Sequence, residues 1–276
     1  EDSFNWLVGT PVNVTATAAP DNTATRTGAN VQTACFDEGA TLNAYYNIHG
    51  GDTIGNKPTV LTASAPDVSG KNRLTPDVQP YYPSTGTVDI YALYPTAVTS
   101  TTSSFSVAAD QSSESDYKAS DLMWASISGQ AKTTKDVNLE FAHQMAKISI
   151  DVTGAEGVTI KSIKLLNTVR TVPITNIWLS SRAIGAVSAT NNEADKTITV
   201  ATSSDATNGD EQLSGSVLFP PQTIAADFIE VTTNYGTTKF STNKAFSGGT
   251  EYKVSLNITR QMIGFTSTIT DWTADN

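Results

Sequence analysis

One cysteine, two histidines and a charged fraction of only 16% leave this 276-residue chain short of the usual reactive chemistry. A single thiol can form neither an intrachain disulfide nor a multi-thiolate metal site. Cys35, just before Phe36 in a strand-like run, reads as a buried, inert thiol. Basic residues are also few: 17 Lys and Arg stand against 27 Asp and Glu, for a net charge of −10 and a pI near 4.6. With no Lys/Arg cluster to offset it, such a polyanion is repelled by phosphate backbones, so nucleic acid is excluded as a partner. No apolar run approaches the ~18–20 residues of a membrane-crossing helix. The chain opens EDSFNWLVG, without the basic and apolar regions of a signal peptide.

The motif search is equally empty. There is no P-loop, no G-x-G-x-x-G, no G-x-S-x-G and no EF-hand loop. His143 shares parity with Phe141 and Met145 and reads as a core-edge histidine held by a hydrogen bond. His49 precedes Gly50 and Gly51 in a turn and reads as solvated. Asp210, Glu211, Glu193 and Asp195 fall in loop-like runs, where acids more often solvate than catalyse. Tyr81, Tyr82, Tyr91 and Tyr94 suggest a sugar-stacking platform, but aromatics in and beside a strand are more often core. No catalytic residue, metal ligand or cofactor site emerges, and the chain reads as a non-enzyme.

What is present is the pattern of an all-β protein. Hydrophobic residues make up 38% of the chain, and Thr, Ser and Asn fill the polar positions, as on the outer face of a sheet. Residues 11–18 (PVNVTATA) alternate Val12, Val14 and Ala16 against Asn13, Thr15 and Thr17. A polar loop, 19–30 (APDNTATRTGAN), follows, with Arg26 its one basic residue. Strands are expected at 42–48, 59–63, 88–94, 158–166, 196–201 and 216–219. Residues 228–232 and 237–241 flank Asn234-Tyr235-Gly236 as a hairpin. Tyr252, Val254, Leu256 and Ile258 alternate, and a final strand over 263–269 carries Ile263, Phe265 and Ile269 on one parity, with Trp272 beyond. VDIYALY (88–94) is apolar on both parities and should be covered on both faces. Residues 96–120, rich in Ser, Thr and Asp, read as a long surface connection. The acceptor patterns Asn13-Val14-Thr15 and Asn257-Ile258-Thr259 lie in expected strands and read as coincidence.

The organising stretch is 137–152 (VNLEFAHQMAKISIDV). Val137, Leu139, Phe141 and Met145 share one parity; Ile148, Ile150 and Val152 share the other. A bulge near Ala146 and Lys147 would let one long strand serve both sets. A short helical turn is the rival, since Phe141, Met145 and Ile148 also fit a 3.6-residue period. The polar joint 131–136 (AKTTKD) sets the expected domain break, giving two tandem sandwiches, 1–136 and 137–276.

Five runs in order, PYYPSTGTVDIYALYP, SDLMWAS, LEFAHQMAKISIDV, GSVLFPPQTI and SGGTEYKVSLNITRQMIGFTSTITDW, resemble the fimbrillin-like proteins of Bacteroidales, the type V pilins. The resemblance implies two transthyretin-like β-sandwich domains of about seven strands each. It also implies a surface subunit exported as a lipoprotein, its lipidated leader removed upstream of Glu1, and reaching the outer membrane only through that leader. In that family a trypsin-like or Arg-specific protease cuts the loop after the first strand, and the C-terminal strands of another subunit replace it. Carried onto this sequence, Arg26 is the scissile residue and 1–26 the removable segment. Val12, Val14 and Ala16 mark the departing strand, and Ile263, Phe265, Ile269 and Trp272 the donor. Both chain ends alternate as strand addition requires. Partners are then other fimbrial subunits, in a homopolymer or a mixed assembly. The alternative is a tip adhesin, or a surface lipoprotein binding a host glycan or protein without polymerising.

Overall fold

The computed structural model describes residues 9–18, 35–51, 57–175, 182–188 and 193–275. Among the described residues the structure is all-β apart from one short helix and two single 3-10 turns. Its first half runs β1 (Val14–Ala18), β2 (Thr41–Ile48), β3 (Thr59–Pro66), β4 (Asn72–Pro76), β5 (Val88–Tyr94), β6 (Ser104–Ser106), α1 (Glu114–Ala119), β7 (Met123–Gln130) and β8 (Val137–His143). Seven of these strands form one sheet, in the order β1-β4-β3-β2-β5-β7-β8, which closes on itself where β8 meets β1.

The second half runs β9 (Ala146–Gly154), β10 (Ile160–Leu165), β11 (Thr171–Thr175), β12 (Ala183–Ile184), β13 (Ile198–Thr202), β14 (Gln212–Phe219), β15 (Gln222–Thr233), β16 (Gly236–Phe246), β17 (Glu251–Ile258), β18 (Thr266–Thr268) and β19 (Thr273–Asp275). A five-stranded sheet, β13-β10-β15-β16-β18, and a four-stranded sheet, β14-β9-β17-β19, share one core. The expected hairpin is longer than its apolar runs suggested, because Thr233 and Gly236 pair across Asn234-Tyr235 and the ladder runs back to Gln222 and Phe246.

The two parity sets of the central stretch divide between two cores, except that Met145 leaves its set and joins the second. Val137, Leu139 and Phe141 enter the barrel, while Met145, Ile148, Ile150 and Val152 enter the second core. The expectation of a single bulged strand is therefore corrected: β8 and β9 are separate strands. The chain changes sheets at Gln144 and Met145, whose backbones bond to Leu122 (2.8 Å) and Gly249 (2.9 Å). The polar run 131–136 lies between β7 and β8, which pair with each other. A break at 136/137 would cut β8 away from β1 and β7, so charge alone misplaced it. A register slip falls instead in β13, where Val200 is the extra residue between the Ile163–Ala201 and Lys164–Thr199 pairs.

Residues 96–120 are largely exposed, as expected of a surface connection, but their few buried side chains tie the halves together. β6 pairs with β11, and Gln111 N donates to Thr199 O at 3.0 Å. The fully buried Gln111 side chain holds Leu218 from both sides, at 2.8 and 2.9 Å. Val98, Val107, Tyr117 and Leu122 join the larger core, as do Tyr45, Tyr91 and Leu93 from barrel strands. β5 is covered on both faces as expected, with Val88, Ile90, Ala92 and Tyr94 in the barrel core and Tyr91 and Leu93 in the other. Helix α1 is N-capped by Ser113, whose hydroxyl accepts the Asp116 N–H at 3.2 Å; Ser113 and Asp116 carry the spacing of a capping motif.

Candidate functional site

β1 closes the barrel with small side chains. Val12, Val14, Ala16 and Ala18 are buried, and Thr15 and Thr17 face outward. It runs parallel to β8 from the Val14–Val137 pair to the Ala18–Phe141 pair, and antiparallel to β4 over Val14–Leu74, Thr15–Arg73 and Ala16–Asn72. Its approach is tied down as well: Val12 N donates to Pro80 O and Val137 N to Asn13 O, both at 2.9 Å. On the outer face, Thr15 Oγ1 donates to Asn138 Oδ1 and Asn138 Nδ2 donates to Thr17 Oγ1, each at 3.0 Å. Two valines and two alanines bury far less apolar area than an Ile/Leu strand would. The backbone ladder and the Asn138 clasp therefore carry much of the hold on β1, and they fix its register.

Inside the barrel, Asn72 stands opposite Ala16 and is fully buried. Its side chain accepts the Phe36 N–H at 2.7 Å and donates to Phe36 O and Ser64 O at 2.9 and 2.8 Å. Neither Asn138 nor Asn72 carries a sequence motif. The one signal was a polar residue flanked by the Val137 and Leu139 parity set.

The C-terminal segment is not the continuous strand expected over 263–269. Ile263 is half-buried, Gly264 turns at φ +82°, and Phe265 is 69% exposed. β18 is three residues long and lies parallel to β16, with Lys239 opposite Thr266 and Ser241 opposite Thr268. Ile269 and Trp272 are half-buried; the Trp272 ring lies 5.5 Å from Phe246 and 6.1 Å from Phe228. β19 then pairs antiparallel to β17. The tail thus forms the last edge of both sheets, anchored between them by one indole. The positive-φ glycine and the crossover between sheets break what alternation alone read as one strand. Arg26 lies outside the described residues.

The titratable clusters are structural in geometry. Asp89 Oδ1 accepts the Gly129 N–H at 2.7 Å, lies 2.8 Å from His49 Nδ1 and accepts the Ser128 hydroxyl at 3.0 Å. A serine triad places its imidazole between acid and hydroxyl, using both ring nitrogens. Here Ser128 Oγ also meets Nδ1, at 3.3 Å, so the ring relays nothing. The cluster pins the register slip between β5 and β7. Burial pushes the Asp89 carboxyl up, but the Gly129 N–H, His49 and Ser128 outweigh it, holding the carboxyl below the usual carboxylate range. His49 is solvated as expected. His143 is the hydrogen-bonded core-edge histidine, its Nδ1 2.9 Å from the buried Asp121. Lys147 and Glu251, opposite each other on β9 and β17, form a buried pair at 3.5 Å, and Ser149 donates to the same Glu251 oxygen at 2.6 Å. Tyr82, Tyr91 and Tyr94 are buried core, not a sugar platform. Cys35 is half-buried in a bend instead of buried in a strand.

A sequence profile described as fimbrillin-like matches residues 6–272. The chain belongs to the fimbrillin-like family. Among solved structures, the fimbrillin-like chain is similar to a candidate cell adhesion protein from Bacteroides uniformis, with 18% identity over 96% of each chain and a TM-score of 0.65. A second, from Bacteroides ovatus, shares 12% identity over 98% of this chain and 97% of its own, with a TM-score of 0.68. A third, from Bacteroides fragilis, shares 14% identity over 96% and 97%, with a TM-score of 0.55. At these identities the likeness is one of fold. No curated protein matches this fimbrillin-like chain.

Proposed function

We propose that this fimbrillin-like protein is a structural subunit of a cell-surface fimbria, exported as a lipoprotein precursor and assembled by strand exchange after proteolysis. The observation that carries the reading is the position of β1: the first described strand is the one through which the barrel closes, paired on both sides by main-chain bonds. A short strand of small side chains, held mainly by its ladders, can leave without dragging the core along. Its departure opens a groove with two unpaired edges, the setting in which an incoming strand gains both ladders. The tail is the natural incoming strand, since it holds only short edge pairings in its own subunit. The expected cut is after Arg26, by a trypsin-like or Arg-specific protease. No catalytic side chain takes part, and other fimbrial subunits are the partners.

Electron microscopy before and after mild trypsin treatment, with mass analysis of the new N-terminus, tests the reading. Filaments that appear only after the cut at Arg26 support it. A protein that is cut there, loses 1–26 and stays monomeric is instead an adhesin that caps a fibre or acts alone on a host glycan or protein.

A further inference from the structure

We propose that the seam vacated by β1 selects its strand by a hydroxyl–small–hydroxyl rule read by Asn138 and Asn72, and that residues 265–269 of a second copy of this chain meet it. The inference rests on the exchange reading above and adds the register. β1 presents Val14-Thr15-Ala16-Thr17-Ala18. Asn138 uses both ends of its carboxamide on the two outward hydroxyls, one accepting and one donating bond, each 3.0 Å. A strand slipped by one residue would turn its hydroxyls inward and lose both bonds. Between the two threonines the inward side chain must be small, because Ala16 is fully buried opposite Asn72.

The tail reads Phe265-Thr266-Ser267-Thr268-Ile269. In the direction of β1, Thr266 and Thr268 take the places of Thr15 and Thr17, and Ser267 takes that of Ala16. A serine is acceptable there for a specific reason. Asn72 Oδ1 accepts the Phe36 N–H, and a carboxamide oxygen has a second lone pair to offer a hydroxyl. The larger Phe265 and Ile269 take the buried positions of Val14 and Ala18, where the groove must widen to admit them. The other frame with two hydroxyls, Thr268-Ile269-Thr270, is excluded twice. It puts Ile269 against Asn72 and Asp271 at the buried position of Ala18, where a lone carboxylate is costly. In the resting subunit the same threonines do little: Thr268 Oγ1 meets Ser241 Oγ at 3.2 Å on an exposed edge. Asn138 is thus the specificity-determining residue of the seam, and the pair Thr266/Thr268 its ligand.

Register-specific cross-linking tests this on the full chain. In a Cys35→Ser background that keeps Asn138, Thr266 and Thr268, Val137→Cys, whose partner in β1 is Val14, is combined with Phe265→Cys, or with Ile269→Cys, which lies ~13 Å further along a strand. After trypsin and mild oxidation, the Phe265→Cys pair should give a ladder of covalent multimers and the Ile269→Cys pair none, with no ladder from uncut protein. Independently, Thr266→Val with Thr268→Val should slow filament growth about tenfold, the effect of losing roughly one net hydrogen bond or two, while Thr270→Val leaves it unchanged. Filaments that grow equally fast with the double valine variant, or that cross-link through residue 269, overturn the register rule and leave strand exchange standing. Wild-type protein that is cut after Arg26 and forms no filament overturns the exchange reading, and the rule with it.

Discussion

At the scale of single residues, three polar side chains do what no motif announced. Asn138 couples β8 to both outward threonines of β1, so Asn138→Ala should destabilise that strand locally by about 1 kcal/mol. Hydrogen exchange of the β1 amides should then quicken while those of β9 and β17 keep their protection. Asn72 is costlier to lose. Its truncation leaves buried Phe36 and Ser64 backbone groups unpaired, and Asn72→Ala should lower global stability by about 2–4 kcal/mol in denaturant titration. Asp89 is a pH-dependent contributor. Its carboxyl lies below the ordinary value in the folded chain, so the ionised form stabilises the fold above the unfolded value near about 4 and that benefit vanishes as pH falls through the folded value. Wild type should therefore be more stable than Asp89→Asn at neutral pH, and the two stability curves should converge below about pH 4.

At the scale of elements, the two chain ends differ in how they are held. β1 is paired on both sides along its length, whereas β18 and β19 are three-residue edge strands with Trp272 between them. Removing the indole should free the tail without touching the barrel. Trp272→Ala is expected to cost about 1–3 kcal/mol, less than a fully buried tryptophan because the ring is half-buried. Faster proteolysis after residue 260 in that variant, with 10–18 unchanged, is the measurement. The alternations at 11–18 and 252–258 were legible because strand period and burial coincide there. The tail was read wrongly because alternation says nothing about which sheet a strand joins. Helix α1 was missed for a related reason: six residues are too few for periodicity, and only the Ser113–Asp116 spacing marks it.

At the scale of the whole molecule, the halves are bound through a common core. Tyr45, Tyr91 and Leu93 from the barrel pack with Tyr117, Leu122 and the strands of the second half, and Gln111 fastens the connection to β14. Unfolding should therefore be a single transition, followed identically by tryptophan fluorescence and by far-ultraviolet circular dichroism. Leu122→Ala should shift that one midpoint, at a cost of about 2–5 kcal/mol, and not split it in two.

The sequence by itself determined that the chain is all-β, that 88–94 is covered on both faces, and that 12–18 alternates. These follow from side-chain period and apolar content, which are local or additive properties. Only the tertiary structure decided that 137–152 is two strands in two cores, that buried side chains within 96–120 join the halves, that the tail splits between two sheets, and that Asn138 clasps β1. Those outcomes depend on which backbone edges meet across more than a hundred residues of chain. Pairing of that range is set by the packing of the whole molecule, and no local pattern encodes it.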